Sequence, residues 1–299
     1  MAPLPAREHT GSLKYNRSMK FQFESASRLF RKQYFLPSEH GSWIWMLGPF
    51  IIGTAASGEP SIASRLLLLM ALSLFLIRQP VMVLVKVRTR RRHQRDTAPA
   101  LFWAIIYSVL IGLTTTSLIL RGFHQLLLLA IPAVPVFTWY LYLISKRKER
   151  GQRGVELVGS GVLALAAPAA YWVSGGNDII LAGILWALSW LQSTASIINV
   201  YLRLEQRQLK TLPPLSARLR MGRRTAAYHI FNLALVCFLA SQTLIPLLII
   251  AAFGLMLIDA LEGTLRPVIG IRPSIIGLRQ LVSSSIFVVL ASYAFRFTT

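Results

Sequence analysis

Hydrophobic residues occur along this chain in long blocks, and polar residues are confined to the short stretches between them. Each block is close to the ~20 apolar residues that a helix needs to cross ~30 Å of hydrocarbon. Soluble helices instead show one apolar stripe that recurs every 3.6 residues. We therefore predict nine membrane segments, at 42–57, 62–85, 100–120, 124–144, 155–173, 179–200, 226–242, 244–262 and 274–295.

The backbone of such a segment cannot bind water inside the bilayer, so it must form its hydrogen bonds within the segment. The expected fold is all-α, a polytopic membrane bundle of about nine transmembrane helices. Residues 1–36 form a basic tail before the bundle, which we place at 37–299. Within the tail, Met19–Phe35 mixes aromatic and cationic residues, as segments that lie on a membrane surface do.

Composition and charge agree with a membrane protein. Hydrophobic residues make up 54% of the chain and charged residues 14%, with 32 Lys and Arg against 11 Asp and Glu. Most of the basic residues stand between apolar segments, which is the pattern that orients membrane helices, so nucleic acid is not an expected partner. Cys237 is the single cysteine, which excludes a disulfide framework within one chain.

The distribution of Lys and Arg predicts the orientation of the bundle. Alternate connections are rich and poor in positive charge, and short cytoplasmic loops are the ones that retain it. The rich stretches are 1–41, 86–99, 145–154, 201–226 and 263–272, which hold seven, six, five, seven and two basic residues. The N-terminus is therefore predicted in the cytoplasm and the C-terminus outside.

Ionisable and amide side chains inside the apolar segments or just beyond their ends are the candidate functional residues. A charge there costs a few kcal/mol or more, so it usually faces a protein interior or a water-filled cavity. On the predicted topology all of them lie toward the cytoplasmic side, which predicts a cytoplasm-facing polar cavity. The ligand-binding candidates are Arg78, Asn199, Arg203, His229, Asp259, Glu262 and Arg279, and the candidates for proton transfer in catalysis are Glu39, His40 and Glu156.

Structural roles for these residues remain open alternatives. The arginines can pair with the acids inside the bundle, Glu156 can favour a helix N-terminus, and Glu262 can reach toward the interface. Asp259 and Glu262 share a helix face and could hold Mg²⁺ for a diphosphate, but two carboxylates do not define a metal site. Because no His or Cys spacing typical of a metal site occurs either, we expect no metal and no cofactor.

The segment Pro37-Ser38-Glu39-His40-Gly41-Ser42-Trp43, followed by Gly48-Pro49, resembles the opening motif of the YwiC-like family of bacterial membrane proteins. Weaker likenesses are Arg78-Gln79-Pro80, Glu156-Leu157, Ala167-Pro168-Ala169-Ala170-Tyr171, Tyr228-His229 and Ile276-Gly277-Leu278-Arg279. The resemblance implies a bacterial plasma (inner) membrane protein and no particular activity. Gln280 stands where the family pattern implies an acidic residue.

Nine segments with a cytoplasmic N-terminus also resemble UbiA-type prenyltransferases, which hold a diphosphate through Mg²⁺ on two Asp-rich motifs. Those motifs belong at the ends of spans two and six. Here the two positions carry Arg78 through Arg92 and Asn199 through Glu205, without paired Asp. The resemblance therefore implies a UbiA-like scaffold on which enzymatic activity, if present, would be that of a divergent prenyltransferase-like enzyme.

Three functions fit this sequence. The first is a polar cavity that binds an anionic amphipathic lipid, such as an isoprenoid or quinone-type molecule, alongside ordinary membrane lipids. The second is an accessory or assembly subunit whose basic loops dock a partner in a larger membrane complex. The third is a transporter, which the lack of ionisable residues in the outer half of the segments disfavours.

The orientation is tested with reporters fused to the C-terminus. Charge-rich and charge-poor stretches alternate along all nine segments, which places the C-terminus outside the cytoplasm. A reporter enzyme that works only outside the cytoplasm should therefore be active when it is fused to the C-terminus. A fusion that is active in the cytoplasm alone would contradict the topology.

Overall fold

The computed structural model of the protein describes residues 29–37, 41–58, 60–148 and 153–297, and these ranges contain helices and turns without any β-strand. Ten main α-helices follow one another along them. They are α1 Ile44–Ser57, α2 Ile62–Arg88, α3 Thr97–Leu120, α4 Ala130–Ser145, α5 Arg153–Ala164, α6 Ala166–Val173, α7 Ile179–Gln206, α8 Leu215–Ser241, α9 Leu248–Leu265 and α10 Pro273–Phe297.

The nine predicted segments correspond to these helices, and the all-α prediction is confirmed. The fourth segment begins as a 3₁₀ helix, His124–Leu129, before α4. The fifth is divided into α5 and α6 because Pro168 lacks a backbone N–H and its ring clashes with the carbonyl four residues earlier, at Ala164. Hydrophobicity along the chain thus predicts where each helical segment lies but not its internal breaks.

Seven helical stretches in the described residues are long and apolar enough to cross a membrane. Two predicted segments, 42–57 and 226–242, are not among these seven, and each has a simple reason. Helix α1 has only 14 residues, and α8 carries Arg218, Arg220, Arg223 and Arg224 in its first turns, so its apolar part begins late. The protein is a multi-pass membrane protein.

The described residues form two compact units. The first combines residues up to 38 with 76–109, and the second combines 39–75 with 110–299. Whether the basic tail ends at residue 36 remains a prediction. In the first unit, the Tyr34 hydroxyl donates to Asp96 Oδ1 at 2.8 Å and Trp103 Nε1 donates to the Leu29 carbonyl at 2.7 Å. Residues 29–35 therefore pack on protein here, and the rest of the predicted surface segment, 19–28, lies outside the described residues.

In the second unit, the apolar core lies between α1, α6, α7, α8, α9 and α10. Phe253 of α9 and Phe287 of α10 meet edge to face with ring centroids 5.0 Å apart. Helix α1 reaches α6 through Gly53, where a Cβ atom would overlap the Ala167 carbonyl. Small residues that let helix backbones approach closely are typical of membrane bundles, so Gly53 is needed for the contact between α1 and α6.

Replacing Gly53 with alanine tests this contact. The added methyl group must push α1 away from α6, and overpacking of this kind costs about 1–3 kcal/mol. We expect a lower midpoint of thermal unfolding for Gly53→Ala in detergent. The matched control is Gly112→Ala in α3, where nothing lies within 4 Å of the new Cβ, and its midpoint should stay unchanged or rise. Equal midpoints for the two variants would contradict the close approach.

Candidate functional site: an ionic cluster at one end of three helices

Three helices bring polar side chains together at one end of the second unit. Asn199 and Arg203 lie near the end of α7, four residues apart and so on one face. Asp259 and Glu262 lie near the end of α9, and Arg279 lies near the start of α10. We call Arg203, Asp259, Glu262 and Arg279 the ionic cluster.

Asp259 is the centre of the ionic cluster. Its Oδ2 atom accepts from Asn199 Nδ2 at 2.7 Å, and its Oδ1 atom accepts from Arg203 Nη2 at 3.2 Å and from Arg279 Nε at 2.8 Å. Arg203 Nη2 also donates to the Asp259 backbone carbonyl at 3.0 Å. One carboxylate therefore joins α7, α9 and α10 through charge-assisted hydrogen bonds, which are stronger than neutral ones.

Exposure divides the ionic cluster into an inner and an outer pair. The Arg203 side chain is 3% exposed and that of Asp259 is 19% exposed. Glu262 forms an ion pair with Arg279, and these two side chains are 40% and 41% exposed. The Glu262 carboxylate also lies 4.0 Å from Arg203 Nη2, so it faces both guanidinium groups.

A glycine creates the space for the buried arginine. A Cβ atom on Gly263 would lie 2.9 Å from both Cζ and Nη2 of Arg203, which is closer than real Cβ contacts. The Gly263 carbonyl also accepts from Gln206 Nε2 at 2.8 Å. Arg203 can therefore reach Asp259 because residue 263 has no side chain, a requirement that the sequence analysis missed.

His229 lies beside the ionic cluster and is buried. Its Nδ1 atom is 2.8 Å from the Thr225 carbonyl, which can only accept, so Nδ1 carries the proton in this contact. The other ring nitrogen, Nε2, remains available as an acceptor when the ring is neutral. The hydrogen bond to Thr225 lies within α8, so it is a structural contact of His229.

A small cavity lies between these side chains. It is lined by Asn199, Arg203, His229, Asp259 and Arg279, with Gln280 and Ser196 among their neighbours, and its water-accessible volume is about 20 Å³. That is room for about one water molecule. Asn199 Oδ1 and Gln280 Nε2 are buried and have no hydrogen-bond partner within the described part of the chain, so the cavity offers an acceptor and a donor.

The remaining predicted residues lie elsewhere. Glu39 and His40 are outside the described residues. Glu156 is in α5, where Oε1 accepts from the Tyr201 hydroxyl at 2.8 Å, and it does not line this cavity. Arg78 belongs to the first compact unit, so its place in a shared site remains a prediction. Asp259 and Glu262, which we considered as Mg²⁺ ligands, both face arginines.

The structure adds a polar face of α7 that the sequence analysis did not recognise. Four uncharged polar side chains are buried in the part of α7 that precedes Asn199: Ser189, Gln192, Ser193 and Ser196. Among them, Gln192 Nε2 donates to Ser284 Oγ of α10 at 3.0 Å. Their spacing of three to four residues places them on one helix face. That spacing was the available signal, because uncharged polar residues recurring at this interval inside an apolar segment indicate an interior face.

Comparison with solved structures identifies the class of fold. One solved structure aligns with this chain at a TM-score of 0.55. It comes from work on structural and mechanistic insights into the biosynthesis of digeranylgeranylglyceryl phosphate synthase in membranes. The alignment covers 91% of this chain and 99% of that chain at 11% sequence identity, so the likeness is one of fold. The protein therefore has the fold of UbiA-type membrane prenyltransferases, as the number of segments predicted.

The sequence itself points to a particular family. Residues 36–171 match the model of the YwiC-like protein family, which confirms the resemblance inferred from the Pro37–Trp43 motif for this part of the chain. A search of curated proteins gives no significant match.

Substitution of the two acids should have unequal effects. Asp259→Asn leaves the buried Arg203 without its carboxylate, and removal of one partner from a buried ion pair costs about 3–5 kcal/mol. Glu262→Gln removes a carboxylate whose pair with Arg279 is exposed, and such pairs are worth about 0–1 kcal/mol. We expect a large drop of the thermal midpoint in detergent for Asp259→Asn and a small change for Glu262→Gln. A larger drop of the thermal midpoint for Glu262→Gln than for Asp259→Asn would refute the division into a buried inner pair and an exposed outer pair.

Proposed function

We propose that the protein binds an anionic amphipathic lipid of isoprenoid type, whose phosphate or diphosphate lies against Arg203 and Arg279. The observation that carries this proposal is the position of Glu262. Its carboxylate faces both guanidinium groups and is partly exposed, so it occupies the place that a ligand phosphate would take. On the charge-derived topology this site faces the cytoplasm.

Exchange of Glu262 for a phosphate is favourable on physical grounds. An exposed ion pair contributes little, because water screens it and both side chains lose freedom in forming it. A phosphate carries more charge than a carboxylate and offers oxygen atoms that match the fork of a guanidinium group. Asp259 stays bound to Arg203 and Asn199 during the exchange, so the inner pair positions the outer one.

The surroundings also suit an apolar chain. Val282 and Ile286 of α10, which follow Arg279 and lie deeper in the predicted span, have large exposed side chains. They are three and seven residues from Arg279 and so lie on the same face of the helix. A ligand whose phosphate meets Arg279 can place its chain along this face inside the hydrocarbon region.

The fold supports an isoprenoid as the ligand class. The solved structure with the same fold is named for the synthesis of digeranylgeranylglyceryl phosphate, an isoprenoid lipid that carries a phosphate. Its substrate class is a property of that protein and serves here as a reason to test prenyl phosphates first. The proposal is one of binding, and it assigns no reaction to the ionic cluster.

Binding of farnesyl phosphate to the purified protein in nanodiscs tests the site. Glu262→Gln removes the competing carboxylate, so we expect farnesyl phosphate to bind more tightly. Arg279→Gln removes a charge-assisted contact of about 1.5–3 kcal/mol, so we expect about 10- to 100-fold weaker binding. Titration followed by native mass spectrometry measures both affinities.

Two controls make this result specific. Arg266→Gln removes an exposed cation near the end of α9 that is not part of the cavity lining, and it should leave the affinity unchanged. Farnesol, which lacks the phosphate, should bind equally to all variants. Weaker binding to Glu262→Gln, or equal loss in Arg266→Gln and Arg279→Gln, would refute the proposed site.

A further inference from the structure

A second, larger cavity opens between α5, α7 and α8. We call it the α7–α8 groove, and its water-accessible volume is about 410 Å³. That volume is within the range of pockets that hold small-molecule ligands. The cavity at the ionic cluster, at about 20 Å³, holds little more than a water molecule.

Three arginines of α8 lie at the rim of the groove. Arg220, Arg223 and Arg224 are spaced so that they share one side of the helix, and all three are exposed. Within the described residues, none of the three forms an ion pair with a carboxylate. Glu205 is the acidic residue of the described lining, so the groove carries three positive charges against one negative charge.

Neighbouring arginines have structural partners, which sets these three apart. Arg207 Nε donates to the Ile271 carbonyl at 3.1 Å, and Arg218 Nη1 donates to the Leu265 carbonyl at 2.7 Å. The first contact ties α7 to the chain after α9, and the second ties α8 to the last residue of α9. Among the described residues, no such contact holds the side chains of Arg220, Arg223 and Arg224, so they can meet a ligand at the groove.

The wall of the groove is largely apolar. It is formed by α7 through Ile197, Ile198 and Leu202, and by the rings of Tyr201 and Tyr228. An apolar wall beside a cationic rim complements a molecule that has an anionic head and a hydrocarbon chain. Basic pockets between transmembrane helices on the cytoplasmic side are known to take anionic lipid head groups.

We infer that the α7–α8 groove binds an anionic membrane phospholipid, with its phosphate at Arg220, Arg223 and Arg224 and the first part of an acyl chain along the partly exposed side chains of Leu157, Ile198 and Tyr201. Guanidinium groups bind phosphate oxygens in pairs of parallel hydrogen bonds, which suits three arginines on one face.

This lipid site is separate from the ionic cluster. The two cavities share no lining residue, and they use different faces of α7: Ser196, Asn199 and Arg203 line the first, whereas Ile197, Tyr201 and Leu202 line the groove. A ligand in one does not require a change in the other. The inference therefore stands whether or not the ionic cluster binds an isoprenoid phosphate.

The test compares two triple variants of equal charge by native mass spectrometry in the presence of phosphatidylglycerol. The groove variant carries Arg220→Gln, Arg223→Gln and Arg224→Gln. The control carries Lys210→Gln, Arg266→Gln and Arg272→Gln, three exposed cations that do not line the groove. We expect the groove variant to bind phosphatidylglycerol at least about tenfold more weakly and the control to bind as the unchanged protein does.

Several results would overturn the inference. Equal loss in both triple variants would show unspecific attraction to the basic surface, and no loss in either would show that the groove is not the site. Phosphatidylcholine bound as tightly as phosphatidylglycerol would exclude recognition of the anionic head. Displacement of the lipid by millimolar inorganic phosphate would assign the groove to free phosphate instead.

Two further measurements keep the result interpretable. Arg223→Glu reverses one exposed charge and should lower lipid binding even if the groove triple variant does not fold. Farnesyl phosphate binding at the ionic cluster should be the same in the groove variant and the unchanged protein. Loss of phosphatidylglycerol with retained farnesyl phosphate supports two sites, and loss of both ligands from a folded groove variant would refute their separation.

Discussion

The polar end of this bundle depends on the ion pair between Arg203 and Asp259. A guanidinium group that is almost completely buried in a membrane protein is stable only if a carboxylate compensates for the water that it has lost. Asp259 does this while it also binds Asn199 and Arg279, so one side chain fixes the ends of α7, α9 and α10. Gly263 belongs to the same constraint because it leaves the space that the Arg203 side chain fills.

The same constraint explains how a structural network can also be a binding site. Removal of the buried pair leaves an uncompensated charge, whereas the exposed pair of Glu262 and Arg279 can separate at little cost. The inner pair is therefore fixed and the outer pair is exchangeable. In the proposed exchange, an incoming phosphate would meet two arginines that are already oriented, so less conformational entropy would be lost on binding than with free side chains.

The fold and the end at which the polar residues gather could be predicted from the sequence. Hydrophobic blocks depend on bilayer thickness alone, and helices that alternate in direction bring the end of one beside the start of the next. The contacts could not be predicted in this way, because which arginine meets which acid depends on helix rotation and on local space. Gly263 acts through that space, and nothing in the local sequence marks it.

The basic stretch 201–226 shows where sequence reasoning reaches its limit. All of its cations contribute equally to the charge count that predicts topology. The structure separates them: Arg203 is paired with Asp259, and Arg207 and Arg218 bind backbone carbonyls. A topological signal requires only that positive charge be somewhere in this loop, so it does not explain why three of the arginines share the rim of an apolar groove. Three arginines beside an apolar wall would suit a lipid, because its phosphate can bind the guanidinium groups while its chain contacts the wall.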